Sequence, residues 1–326
     1  MASAIDQSVN PDRPSLKARL LVATAVATAA AFVTWTEFAR WPGVHHSDFS
    51  PLWFSARAFI RGANPYALIG PGKPFDFDWP EYYPATAFVA ALPFAWLPEK
   101  AASIAFIWVS TALLAFAVVR KGWYRLPLFL SVSFVIAARA AELSPLLAAG
   151  LCLPAVGLVY AAKPNLGLAL LTASWRLRPA VFAAAGGCVL LAISLVVAPW
   201  WPRVWLSIVT STTQHGFPIA QPGGFLVLLA LLRWRRPEAR LIVALACIPQ
   251  TIYWYEGLYL LLIPATLRES LLLSLISSTG FLVERTMVGW RPNEPYEHIG
   301  LLMIAFLYLP ATIMVLRRPN EPAQLC

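Results

Sequence analysis

Asp48 lies in the longest polar stretch of the chain, at about 39–84, preceded by His46 and Ser47 and followed by Trp53, Arg57, Tyr66, Tyr82 and Tyr83. A carboxylate at a membrane surface, amid aromatic rings and beside a cavity, suits a general base that takes the proton from a hydroxyl nucleophile. Aromatic faces with polar donors suit a sugar ring, and Arg or Lys suits a phosphate. A simpler reading competes, because Asp is a good N-cap and an amphipathic helix follows. Lys163 is a functional candidate because ionisable residues inside a membrane region usually are. Its competing reading is snorkelling to the interface. Glu256 stands at the start of an apolar segment, where a carboxylate is costly enough to favour a function. Arg139 and Glu142, three apart, read as a structural ion pair on one helix face. His45 and His46 share the polar stretch with Asp76, Asp78 and Glu81, but no ligand spacing compels a metal site. No metal and no cofactor are therefore expected, with a divalent ion kept as the alternative. His215 and His298 stand alone and read as surface or satisfied histidines.

These residues need a scaffold, and the composition says which kind. Of 326 residues, 59% are hydrophobic and 13% charged, about half the charge a soluble domain carries. The net charge of +9 does not point to nucleic acid, since no basic stripe interleaves with aromatics outside the apolar runs. Lys and Arg instead sit in short loops, most clearly at Arg233, Arg235, Arg236 and Arg240, where they orient a membrane protein. Cys152, Cys188 and Cys247 lie in apolar runs and Cys326 is last. No spacing suggests a disulfide framework, so buried free thiols are expected.

The reading is an all-α, polytopic membrane protein with about 10–12 transmembrane segments. Residues 1–19 form a cytoplasmic tail, 20–316 a single membrane domain, and 317–326 a second cytoplasmic tail. The first apolar run, at about 20–38, is taken as an uncleaved span rather than a signal peptide, because membrane segments follow it. The 39–84 outer loop carries an amphipathic helix through Leu52, Phe54, Ala56, Ala58, Phe59 and Ile60, ended by Asn64-Pro65. Further apolar segments lie near 85–97, 101–119, 126–141, 143–160, 164–175, 180–198, 223–232, 239–252, 255–267, 270–284 and 298–316. Several are short, and Pro93, Pro145, Pro154, Pro164, Pro249 and Pro264 fall within or beside them, so a cavity in the bundle is expected. With all segments crossing, Arg233–Arg236 and Arg317-Arg318 fall inside as they should. Arg120, Lys121 and Arg125 fall outside, against the usual bias.

The stretch Asp48-Phe49-x-x-x-Trp53-x-x-Ala56-x-Ala58-x-x-x-Gly62-x-x-Pro65-Tyr66 resembles the signature of glycosyltransferase family 87. The resemblance continues through Tyr83-Pro84, Leu92-Pro93-Phe94-Ala95-Trp96-Leu97-Pro98 and Lys163-Pro164-Asn165. It implies a GT-C-like bundle and a mannosyltransferase fed by a polyprenyl-phosphate carrier, with Asp48 as the catalytic base. The sequence departs from that family at Ala141-Glu142-Leu143-Ser144, where a Gly-Gln-x-Asn is common, and at Glu256, which aligns with a His.

The expected function is transfer of a hexose, mannose by the resemblance, from polyprenyl phosphate to an extracytoplasmic hydroxyl with inversion. Asp48 is the catalytic residue, Lys163 and Arg57 the donor-phosphate partners, and Trp53, Tyr66, Tyr83, Asn165 and Glu256 the sugar or acceptor pocket. The partners are the lipid-linked sugar, a glycolipid or polysaccharide acceptor and membrane lipid, and the location is the plasma (inner) membrane with the site on the extracytoplasmic face. The alternative is a transporter, flippase or non-catalytic membrane subunit for lipid-linked sugars. Such a protein needs access from both faces but no long folded outer loop rich in Asp and aromatics.

Overall fold

The computed structural model describes residues 14–40, 46–173, 176–211, 216–288, 299–322 and 325. Every regular element among the described residues is helical: α1 (Leu16–Arg40), α2 (Phe49–Ile60), α3 (Pro65–Leu68), α4 (Ala85–Ala91), α5 (Glu99–Val118), α6 (Val132–Ala140), α7 (Ser144–Cys152), α8 (Pro164–Thr172), α9 (Leu177–Val197), α10 (Trp201–Ser211), α11 (Pro237–Cys247), α12 (Leu267–Val288), α13 (Ile299–Met303) and α14 (Leu309–Leu316). Three long 3₁₀ segments, Pro154–Ala162, Gly224–Arg233 and Trp254–Leu262, lie among them, and a π-helical stretch, Ile304–Tyr308, joins α13 to α14.

Among the described residues, four helical stretches are long and apolar enough to cross a membrane: Leu16–Arg40, Glu99–Lys121, Leu177–Val197 and Ile299–Leu316. The remaining expected spans do not form single long apolar helices. Proline is the main reason, because it cannot donate the hydrogen bond that continues a helix. Pro145, Pro154 and Pro164 divide the apolar stretch from 143 to 175 into α7, the 154–162 segment and α8, of nine residues each. That is about half the length hydrocarbon requires of an upright helix. The helix α12 is long, but its Ser- and Thr-rich middle and its charged ends keep it below the required apolarity.

Helix α1 packs along α5 and α6. Its buried stripe is small, with Ala23, Ala27, Ala30, Ala31 and Thr34, and small side chains let helix backbones approach closely. The Thr34 hydroxyl donates to the carbonyls of Ala30 (3.1 Å) and Ala138 (2.6 Å), fixing α1 to α6. The Arg19 guanidinium lies 3.9 Å from the Phe116 ring centroid and donates to the Phe116 carbonyl, so the start of α1 meets the end of α5.

The basic residues gather at that end. Arg120 acts on Arg19, Lys121 feels Arg125, Arg120, Arg176 and Glu238, and Arg125 feels Glu238 and Arg318. Arg125 donates to the Leu325 carbonyl at 2.5 Å, and Arg318 pairs with Glu238 (3.1 Å) and Glu269 (2.6 Å). The expectation that Arg120, Lys121 and Arg125 lie opposite the 233–238 and 317–318 clusters is thus corrected. The broken segments between them do not each reverse the chain across the bilayer. The residues just after Leu316 pack against the same cluster, where Arg233 donates to the Arg318 carbonyl at 2.6 Å.

Two further expectations change. Arg139 pairs with Glu37 at 3.0 Å rather than with Glu142, because Glu142 lies past the end of α6, where the backbone turns away. Cys152 is disulfide-bonded, and the free thiols Cys188 and Cys247 are exposed on the protein surface rather than buried.

Candidate functional site

The site begins at the end of α6. Ala141 is the one non-glycine residue with positive φ among the described residues, at φ 53° and ψ 46°. A left-handed residue closes a helix by turning the chain, with Glu142 N–H donating back to the Ala137 carbonyl at 2.9 Å. The turn leaves the Ala140 carbonyl free to accept from the Asp48 N–H at 2.8 Å. Asp48 is thereby seated beside Glu142, a buried carboxylate whose Oε2 accepts from the Leu143 N–H at 2.7 Å.

Asp48 precedes α2 but its side chain does not cap it. The Ser47 N–H donates instead to Ser50 Oγ at 3.0 Å, and the hydroxyls of Ser47 and Ser103 lie 2.8 Å apart, tying the start of α2 to α5. With the helix start held by serines, the Asp48 carboxylate is left for other work. It is half-buried, and the surrounding protein pushes its pKa up to about 8. Burial is the main cause, the charge of Glu142 adds to it, and Lys163 opposes it.

Lys163 follows the 154–162 segment, and Glu256 lies in the 254–262 segment. Runs of 3₁₀ helix this long are uncommon, and both candidate ionic residues belong to or adjoin one. Lys163 Nζ lies 2.6 Å from Glu256 Oε1, with the two side chains 14% and 0% exposed. Lys163 is therefore held inward rather than snorkelling. Its ammonium is also 5.6 Å from the Tyr255 ring centroid, so an aromatic face adds to the carboxylate as a partner. The other Glu256 oxygen, Oε2, is buried with no hydrogen-bond partner among the described residues. Asp48, Glu142 and Glu256 all act on Lys163, so three carboxylates surround one ammonium.

Tyr83 completes the cluster. Its phenol sits in the combined field of Glu142, Asp48, Glu256 and Glu81. Its backbone is pinned from both sides: the N–H donates to Glu81 Oε1 at 2.9 Å, and the carbonyl accepts from the Tyr66 hydroxyl at 3.1 Å. Glu81 is buried, accepts from the Ser55 hydroxyl at 2.6 Å, and has its pKa raised by burial to about 7.

Of the residues singled out by sequence, Asp48, Lys163, Glu256 and Tyr83 come together. Tyr66 supports Tyr83 from a buried position against Phe88. Asn165 holds the start of α8 by donating to the Pro249 carbonyl at 2.7 Å. Trp53 and Arg57 do not join the cluster. Nine residues of helix carry Arg57 about 13 Å along α2 from Asp48. Its guanidinium lies 4.8 Å from the Trp53 ring centroid, while the Trp53 indole donates to the Leu97 carbonyl at 2.9 Å. His46 is engaged with Glu99 at 2.6 Å and Asp76 accepts from the Gly72 N–H. His45, His215 and His298 lie outside the described residues. Among the described residues, no three His, Cys, Asp or Glu side chains converge as metal ligands.

Glu142 and Tyr255 are the site residues that sequence reasoning did not place there. Glu142 falls between the apolar runs 126–141 and 143–160, and its spacing from Arg139 suggested a different partner. Tyr255 opens the 255–267 apolar segment beside Glu256, and no motif or charge distinguished it. Comparison with known proteins returns no match to any family model, curated protein sequence or solved structure.

Proposed function

We propose that the chain is an integral membrane glycosyltransferase with a GT-C-like bundle. It moves a hexose, mannose by its motif resemblance, from a polyprenyl-phosphate carrier to an acceptor hydroxyl. The observation that carries this reading is the uncapped Asp48 carboxylate, with a pKa near 8, set beside the buried Lys163–Glu256 pair. A base is most effective when its pKa lies near the working pH.

In this reading the acceptor hydroxyl gives its proton to Asp48 as its oxygen attacks the anomeric carbon. The bond from that carbon to the phosphate oxygen breaks, the electron pair leaves with the lipid phosphate, and the configuration inverts. The transition state has the oxocarbenium character of glycoside hydrolysis. An ammonium has three donors. Glu256 takes one of those on Lys163 and orients the others toward the leaving phosphate. The unpartnered Glu256 Oε2 and the Tyr83 phenol offer hydrogen bonds to sugar hydroxyls. The acceptor is a glycolipid or polysaccharide.

The arrangement of charge supports an extracytoplasmic site. The basic ends of α1 and α5 and the clusters near Arg233 and Arg318 gather away from Asp48, and basic residues favour the cytoplasmic side. The test is to supply the reconstituted protein with a panel of polyprenyl-phosphate sugars and a total glycan and lipid extract. A product of inverted anomeric configuration supports the reading. Movement of an intact lipid-linked sugar across the bilayer, with no product, identifies a transporter instead.

A further inference from the structure

The stripe of α2 that carries Trp53, Arg57 and Ile60 continues to Arg61, the residue that caps the helix, with the i, i+4, i+7, i+8 spacing of one face. Opposite it, the turn through Leu92 and Ala95 brings Trp96 alongside. Together Arg57, Ile60, Arg61, Leu92, Ala95 and Trp96 line a surface pocket of 380 Å³, within the roughly 300–1,000 Å³ of small-ligand sites.

Two features of the pocket stand out. Arg57 and Arg61 lie one helical turn apart, and neither has a carboxylate partner among the described residues. A helix C-terminus attracts a cation, which accounts for one arginine here but not for two that repel each other. The rest of the wall is apolar and outward-facing, with Ile60 62% and Trp96 78% exposed. Two side chains of the pocket are fixed in place. Arg57 rests on the Trp53 ring, and the Trp96 indole donates to the Pro93 carbonyl at 2.6 Å. Paired guanidinium groups beside an exposed Trp and Ile have the character of a bilayer interface, where aromatic belts lie at headgroup level and Arg grips phosphate through parallel N–H donors.

We propose that this pocket binds the headgroup phosphate of an anionic phospholipid, with Arg57 and Arg61 on the phosphate and Ile60, Leu92 and Trp96 along the glycerol and upper acyl chain. The site is separate from the Asp48 centre. The backbone of Arg57 is about 13 Å along α2 from that of Asp48, and the charges that act on Asp48 are those of Glu142, Lys163 and Asp78 rather than that of Arg57. The assignment therefore holds whatever reaction the Asp48 centre performs. A lipid is chosen over free phosphate because four of the six lining residues, Ile60, Leu92, Ala95 and Trp96, are apolar and offer nothing to a small anion.

The test is native mass spectrometry of the full-length protein in a neutral detergent, titrated with short-chain phosphatidylglycerol, with phosphatidylcholine of the same chain length, and with inorganic phosphate. Wild type is expected to bind phosphatidylglycerol about tenfold more tightly than phosphatidylcholine, whose phosphate is the same but whose choline cation is repelled by the two guanidinium groups. The Arg57→Gln/Arg61→Gln variant should lose that preference, while Arg57→Lys/Arg61→Lys retains most of it and Arg178→Gln, at the exposed start of α9, retains all of it. Equal binding of the two lipids by wild type, or an undiminished preference in the Gln variant, overturns the proposal. Inorganic phosphate competing at the affinity of phosphatidylglycerol reassigns the site to a soluble anion and also overturns it. Should the Gln variant not fold, salt decides: wild-type binding of phosphatidylglycerol must weaken as ionic strength rises, and binding indifferent to salt rejects the assignment.

Discussion

Lys163 Nζ and Glu256 Oε1 are 2.6 Å apart in the interior of the helical bundle, and Glu256 is completely buried. A pair of this kind is weak evidence for stability, because desolvation offsets most of its attraction, but removing one partner strands the other. Lys163→Met, which leaves Glu256 buried without its cation, should therefore destabilise the protein by about 3–5 kcal/mol, measured by denaturant unfolding in detergent. The double variant Lys163→Met/Glu256→Leu should recover most of that loss and yet transfer no sugar. Recovery of transfer along with stability would mean that the pair serves only the fold.

Asp48 gives the pH dependence. Its folded pKa is raised to about 8, so the carboxylate is protonated below that pH and cannot accept a proton. Transfer should rise with pH through about 8 and level off above it. Removing the Glu142 charge takes away one of the causes of the raised pKa, so Glu142→Gln should move the rising limb to lower pH. An unmoved limb would show that Glu142 does not act on the titrating group.

Glu81 makes a prediction about stability. Its folded pKa, raised by burial to about 7, exceeds that of an exposed Glu, so the folded state holds the proton more tightly. The stability this contributes is fully present below the unfolded pKa and is lost as pH rises through about 7. Wild type should thus lose stability relative to Glu81→Gln between roughly pH 4.5 and 7. Parallel stability curves for the two proteins across that window would contradict the assignment.

Ala141 holds a backbone conformation that costs an L residue about 1–2 kcal/mol. Ala141→Gly should relieve part of this, raising stability by about 1 kcal/mol, provided the site keeps its shape. A destabilised Gly variant would show that the methyl group contributes packing worth more than the strain.

The helical, apolar character of the chain was legible from composition, and so were the long helices at 16–40 and 177–197, where no proline interrupts the interior of an apolar run. The number of crossings was not. Hydropathy marks a run as buried, but Pro145, Pro154 and Pro164 decide whether it is one helix or three pieces. Their effect depends on which neighbours satisfy the freed backbone. The charge arrangement at Arg120, Lys121 and Arg125 was itself a signal that the segments do not all cross in turn. In the site, Asp48, Lys163, Glu256 and Tyr83 were legible because charge and aromatic groups in an apolar chain are costly. The partnership of Glu142 was hidden: spacing along a helix suggested Arg139, and only the left-handed turn at Ala141 sends Glu142 to Asp48 and Arg139 to Glu37. Arg57 was assigned by residue type, which says nothing about distance along α2.

The most direct measurement is transfer of labelled mannose from polyprenyl-phosphate mannose by the reconstituted protein, wild type against Asp48→Asn. The acceptor is a total extract of lipid and polysaccharide, and both proteins are first shown to unfold at similar denaturant concentrations. Transfer by wild type, with a loss of at least about a hundredfold in the Asn variant, is the expected result. Equal turnover by both proteins would remove Asp48 from the chemistry, and inactivity of the folded wild type with every lipid-linked hexose would contradict the glycosyltransferase assignment itself.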